Sequence, residues 1–194
     1  MGVLSIQGAI SEHIESVNNA FKEIDLCGNA IAVRKKSQIS NIDALIIPGG
    51  ESTTISKILV KTGMHDAIVK RVENNDLPIM GTCAGCVLLA KRILDGNNEL
   101  NLLNIMDMEV QRNAFGRQKE SFEKNICLNG ISKNYHAVFI RAPIIKKIWG
   151  NYDILAKIDK KIIAARQDKF LAFSFHPELT DDLKLHKYFI EMFI

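Results

Sequence analysis

Nothing in this chain approaches the run of about 20 apolar residues that a membrane span requires. Its opening, Met1-Gly2-Val3-Leu4-Ser5-Ile6-Gln7-Gly8, lacks both the basic segment and the apolar length of a secretory signal. A soluble, cytoplasmic protein is expected. Cysteine is scarce: Cys27, Cys83, Cys86 and Cys127, without a secretory context, do not suggest a disulfide framework and read as free thiols of a reducing compartment. Internal repeats, low-complexity stretches and Pro/Ser-rich linkers are also missing, so one domain spanning residues 1–194 is expected. Excess charge is lacking too, with 25 Lys and Arg against 22 Asp and Glu. The basic groups Arg34-Lys35-Lys36, Lys146-Lys147 and Lys160-Lys161 have no interleaved aromatics, which marks them as solvated faces rather than a nucleic-acid surface.

What the chain does have is 47% apolar residues, arranged in alternating strand and helix patterns. Val3 to Ile6 reads as a short buried strand. After Ser11, the residues Ile14, Val17, Phe21 and Ile24 recur at the 3, 4, 3 spacing of an amphipathic helix. Ala30 to Val33 forms the next expected strand. Ala44-Leu45-Ile46-Ile47, ended by Pro48-Gly49-Gly50, has the uniformly apolar character of a central parallel strand. A helix pair follows, and then a strand over Pro78 to Thr82 and a helix from Cys83 through Ile93. Further on, strands are expected at Met106–Val110, Val138–Ile140, Ile154–Ile158, Ile162–Ala165 and Leu171–Phe175, with a closing helix from Asp181 to Phe193. The alternation predicts an α/β fold with a central, mostly parallel sheet and additional antiparallel strands at one edge.

Gly81-Thr82-Cys83-Ala84-Gly85 places a cysteine between small residues at a strand-to-helix turn, the pattern of a nucleophile elbow. A helix N-terminus favours the thiolate, and the Ala84 N–H is a candidate oxyanion donor. The same residues form a C-x-x-C with Cys86, which keeps a redox pair open as a rival. Zinc has less support, since no second C-x-x-C or His pair accompanies the motif. A base is available in Phe173-Ser174-Phe175-His176-Pro177-Glu178-Leu179: an apolar strand ends at His176, and Glu178, two residues on in an extended segment, can orient the imidazole. His13, His65, His136 and His186 show no comparable partner pattern and read as surface or structural residues. Pro48-Gly49-Gly50-Glu51-Ser52-Thr53-Thr54 combines a glycine loop with a Ser-Thr-Thr helix cap. Its N–H groups are candidates to complete the oxyanion hole, because ligands of open α/β sheets sit beyond the strands' carboxyl ends. Arg112 and Arg141 are plausible partners for a substrate carboxylate.

Together with Arg112-Asn113-Ala114-Phe115-Gly116-Arg117-Gln118 and Phe139-Ile140-Arg141-Ala142-Pro143, these segments resemble the glutaminase subunits of pyridoxal 5′-phosphate synthases, a family of class I (triad) glutamine amidotransferases. The likeness runs from Ile6-Gln7-Gly8 to Thr180. It implies a flavodoxin-like α/β fold, a nucleophile at Cys83, a base at His176 and its orienting carboxylate at Glu178. It further implies glutamine contacts from Gly50, Glu51, Ser52, Arg112, Ile140 and Arg141, with Gly50 and Ala84 in the oxyanion hole. The implied partner is a (β/α)8-barrel synthase subunit that receives the ammonia, with no metal or organic cofactor. Two positions depart from the family pattern: Cys86 stands where an aliphatic residue is usual, and Gln111 where an acidic residue commonly precedes Arg112. A thiol-disulfide oxidoreductase using Cys83 and Cys86, a non-catalytic binding subunit and the glutaminase subunit of another amidotransferase are the competing readings.

Overall fold

Short apolar runs that lack polar alternation become the inner strands of one sheet, because both of their faces are covered. The computed structural model describes residues 1–94, 100–115 and 121–193. In the first half, β1 (Gly2–Leu4), β2 (Ile31–Val33), β3 (Leu45–Ile47) and β4 (Ile79–Thr82) alternate with α1 (Ile10–Glu23), α2 (Lys36–Ile39), α3 (Ser52–Lys61), α4 (Met64–Glu73) and α5 (Ala84–Leu89). The second half supplies β5 (Ala90–Ile93), β6 (Met106–Gln111), β7 (Ser121–Leu128), β8 (Ser132–Ile140), β9 (Ile144–Ile148), β10 (Asp153–Ile158), β11 (Lys161–Gln167) and β12 (Phe170–Phe173), then α6 (Lys184–Glu191).

The main sheet runs β2-β1-β3-β4-β12-β11-β9-β6-β5, with β10 paired to β11. From β2 to β12 every pairing is parallel, the doubly wound arrangement expected of the first half. Beyond β12 the sheet turns antiparallel through β11, β9 and β6, and only β5 with β6 is parallel again. Side-chain alternation divides the core between the two faces. Val3, Ile46, Met80, Leu171 and Phe173 point toward α1 and α6, whereas Leu4, Leu45, Ile47, Ile79 and Ala172 meet α3, α4 and α5.

Several expected elements come out differently: the first strand ends at Leu4 rather than Ile6, and the closing helix spans Lys184–Glu191 rather than Asp181–Phe193. The helix after Cys83 stops at Leu89, and Ala90–Ile93 is a strand. The expected strand at Leu171–Phe175 ends at Phe173, and Glu178 lies in a 3₁₀ turn, Pro177–Leu179, rather than in an extended segment. Sequence reasoning missed α2, β5, β7 and β9. β7 and β8 form a separate two-stranded sheet, anchored by the stacked rings of Phe122 and Phe139 at 4.5 Å and by Phe139 against Phe175. Among the described residues, no helix is long and apolar enough to cross a membrane.

Candidate active site

Four loops at the carboxyl ends of neighbouring parallel strands meet above the sheet: Gln7-Gly8 after β1, Gly49-Gly50 after β3, Cys83 after β4 and His176 beyond β12. This is where an open α/β sheet holds ligands. They line a cavity of about 480 Å³ shared with Glu51, Ser52, Ala84, Arg112, Ile140 and Arg141, a volume suited to a small metabolite. Except for Glu178, which lies behind His176, every site residue expected from the sequence borders this space. Gly116, Arg117 and Gln118 of the arginine-containing motif lie outside the described residues.

Cys83 adopts φ 49° and ψ −103°, a left-handed strain typical of residues whose side chain is forced into a site. The turn is possible because α5 presses onto the sheet. A methyl group at Gly85 would stand 2.0 Å from the Ile47 carbonyl oxygen, and one at Gly81 would stand 2.6 Å from the Gly85 carbonyl carbon. The Cys83 backbone N–H donates to Phe173 O at 2.8 Å, which ties the elbow to β12, and its thiol lies 3.7 Å from Ile140 O. Cys86, one turn along α5, is fully buried. Burial and the neighbouring Cys83 push its thiol far up, which deprives it of the thiolate that disulfide exchange requires.

His176 is positioned from both sides. Its backbone N–H donates to Val138 O at 2.9 Å, and its Nδ1 lies 2.7 Å from Glu178 Oε1. With Nδ1 held by the carboxylate, Nε2 makes no aligned hydrogen bond and is available to a reacting group. Burial opposes a charged imidazole here, but Cys83 and Glu178 outweigh it and push the ring up to about 10. Glu178 behaves in the opposite way: burial favours its neutral acid, yet His13 and His176 hold its carboxyl well below the usual range. The resulting arrangement favours an imidazolium and a carboxylate at neutral pH, which places a proton donor beside the Cys83 sulfur for attack followed by proton donation.

The glycine loop has a different local construction from the one its sequence suggested. Glu51, rather than Ser52 or the threonines, caps α3: its carboxylate accepts from the Thr53 and Thr54 N–H groups at 3.0 and 2.7 Å. Burial opposes the charge of Glu51, but these bonds lower its pKa to about 2. Its own N–H donates to Gln7 Oε1 at 3.0 Å, linking the loops after β1 and β3. Gly49 is the tightest point of the site. A methyl group there would lie 2.4 Å from His176 Cε1 and 3.3 Å from Cys83 Cβ. Arg112 reaches toward Thr53 Oγ1 at 3.5 Å, and Arg141 sits at φ 46° immediately after Ile140.

The structure also brings in residues the sequence reading set aside. His13 and His186 are fully buried, and His13 Nε2 is 3.2 Å from Glu178 Oε2. A signal for both existed: His13 shares the inward stripe of α1 with Val17 and Ala20, and His186 shares that of α6 with Phe189 and Ile190. A histidine on an apolar stripe needs a buried partner. His65 and His136 lie elsewhere, the latter exposed and bonded to Glu123 and Asn125. No cluster of three or more His, Cys, Asp or Glu side chains able to hold a metal occurs among the described residues.

Known proteins match this chain along nearly all of its length. Residues 3–194 match the SNO glutamine amidotransferase family. A pyridoxal 5′-phosphate synthase subunit PdxT of Methanococcoides burtonii is 44% identical, covering 98% of this chain and 97% of the relative. The subunit of the same name from Brevibacillus brevis is 46% identical over 99% and 96% of the two chains. A crystal structure described as a glutamine amidotransferase superposes with a TM-score of 0.89 at 45% identity, covering 98% of this chain and 97% of that one.

Proposed function

The chain belongs to the SNO glutamine amidotransferase family, and from that premise we propose that residues 1–194 act as one glutaminase domain whose Cys83, His176 and Glu178 hydrolyse glutamine. The protein is the glutaminase subunit of a pyridoxal 5′-phosphate synthase. The observation that best supports the triad is the 2.7 Å contact between His176 Nδ1 and Glu178 Oε1, with the unbonded Nε2 and the strained Cys83 lining the same cavity.

In this mechanism the Cys83 thiolate attacks the side-chain amide carbon of glutamine. His176 gives its proton to the departing nitrogen, and ammonia leaves a glutamyl thioester on Cys83. The neutral imidazole then takes a proton from water, whose oxygen adds to the thioester carbon, and glutamate is released as the thiolate re-forms. Glu178 keeps the imidazole in the tautomer that points Nε2 at the reacting atoms. The Gly50 and Ala84 N–H groups receive the oxyanion, each worth about 3 to 4 kcal/mol in comparable sites. Arg112 and Arg141 supply positive charge for the substrate carboxylate, while Gly50, Glu51, Ser52 and Ile140 shape the space around the rest of the molecule.

The ammonia passes to a (β/α)8-barrel synthase subunit, and a cytoplasmic location suits the four free thiols. Glutamine hydrolysis measured with and without the synthase, beside Cys83→Ala, tests the proposal. Glutamate release by the parent complex and none by the variant is expected. Release unaffected by Cys83→Ala would refute it.

A further inference from the structure

Glu178 has two carboxylate oxygens, and the triad uses one of them. Oε1 engages His176, whereas Oε2 makes no aligned hydrogen bond and is faced by His13 Nε2 at 3.2 Å. The two side chains are fully buried. The same His13 nitrogen is 3.4 Å from Thr82 Oγ1, on the residue preceding the nucleophile. On the far side of the ring, His13 Nδ1 meets His186 Nε2 at 3.2 Å, and the two rings cross edge to face at 5.4 Å. A buried line of contacts therefore runs His176, Glu178, His13, His186, drawing on the 3₁₀ turn, α1 and α6, with Cys83 facing the same cavity as His176.

Such a line answers a physical need. A carboxylate anchored through one oxygen can still swing about its side-chain torsions, and a buried anion is tolerated only when charge or hydrogen bonding compensates it. His13 Nε2 is the group that meets this second oxygen. Facing a carboxylate, Nε2 carries a proton in either charge state of the ring, which leaves Nδ1 to share a proton with His186. His186 is held neutral, since burial and the neighbouring His13 outweigh Glu178 and lower it to about 3. Its role is to fix the His13 ring rather than to add charge. Outer partners of this kind set the orientation of the groups that do chemistry.

We propose that His13 is a positioning residue of the glutaminase site, holding the second carboxylate oxygen of Glu178 so that Glu178 aims His176 at Cys83, with His186 fixing the His13 ring. This rests on the Cys83, His176, Glu178 reading given above.

The test uses the chain in complex with its synthase and compares three substitutions at one position. In His13→Gln the amide nitrogen falls where Nε2 stood and still reaches Glu178. In His13→Asn it falls at the Nδ1 position and does not. His13→Leu keeps the volume, offers no donor and carries the test if the Asn variant does not fold. His13→Asn and His13→Leu should lower kcat for glutamine hydrolysis roughly 10- to 100-fold with KM unchanged, the usual scale for a misaimed catalytic group, and His13→Gln should recover most of it. In a Glu178→Gln background the His13→Asn change should cost less than about 2-fold, because the orientation it controls is already gone. Alkylation of Cys83 by iodoacetamide should follow the same ranking without turnover. Equal kcat for the parent and His13→Asn, or equal losses for Asn and Gln, would overturn the positioning role alone. A parent complex with no glutamine hydrolysis would overturn the triad reading and this one with it.

Discussion

Gly49→Ala tests the close packing of the site with a single methyl group. That methyl would sit 2.4 Å from His176 Cε1, where carbon atoms need roughly 3.5 Å, so about 1 Å of movement must be found. The imidazole is poorly placed to provide it: Nδ1 is held 2.7 Å from a buried Glu178, and the backbone is tied to Val138. Retreat of the loop is opposed by Cys83 Cβ, 3.3 Å from the same methyl. A displacement of 1 Å in a catalytic group costs on the order of 10² in rate, or about 2.7 kcal/mol, and overpacking of this kind lowers stability by about 1 to 3 kcal/mol. Glutaminase kcat/KM of the variant complex, read beside its urea midpoint, separates the two effects. A kcat/KM within about threefold of the parent would refute the claim that Gly49 sets the position of His176.

Replacing Cys83 by Ser should abolish glutamate release with the fold retained, whereas Cys86→Ala should keep most activity; loss of activity in a folded Cys86→Ala would restore the two-cysteine chemistry. Because Cys83 and Glu178 push His176 up to about 10 from 6.5, the stability gained from its charge is complete below pH 6.5 and is lost as pH rises toward 10. Glu178→Gln removes part of that support, so the alkaline limb of kcat/KM should move to lower pH, with a smaller rate loss than His176→Asn; an unmoved limb counts against the pairing. Glu51→Ala deletes the cap of α3 and should cost about 1 kcal/mol in chemical denaturation. Since Glu51 is lowered to about 2 from 4.5, that contribution is present above pH 4.5 and fades as pH falls toward 2, so parent and variant should converge there.

The parallel half of the sheet was legible because β1, β3 and β4 are short, uniformly apolar and punctuated by glycine loops. β5 was hidden by continuity: Ala90 to Ile93 follows α5 with no glycine or proline between them, so one apolar pattern covered both elements. β7 lies in a largely exposed hairpin and reads Ser-Phe-Glu-Lys-Asn-Ile-Cys-Leu, too polar for a burial-based signal. The proposed nucleophile, base and orienting acid each carry local signatures, the elbow glycines and the His-Pro-Glu turn. His13 and His186 carry none that names their partner. They lie 173 positions apart, and only the packing of α1 on α6 brings them together. The cap role of Glu51 was masked by the better-known capping residues beside it.

The place of β12 in the sheet has a consequence for biosynthesis. This strand is formed from residues 170–173 yet lies at the middle of the sheet, hydrogen-bonded to β4 on one side and β11 on the other. A nascent chain that has emerged only as far as β11 therefore holds two half-sheets with facing open edges, and such edges invite pairing with other chains. Cys83 also lacks its anchor at this stage, since its N–H awaits the Phe173 carbonyl, and His176 has not yet been made. If Cys83 and His176 act as proposed, hydrolysis therefore has to await residues 170–178, which close the sheet between β4 and β11 and bring His176 to the cavity that Cys83 lines.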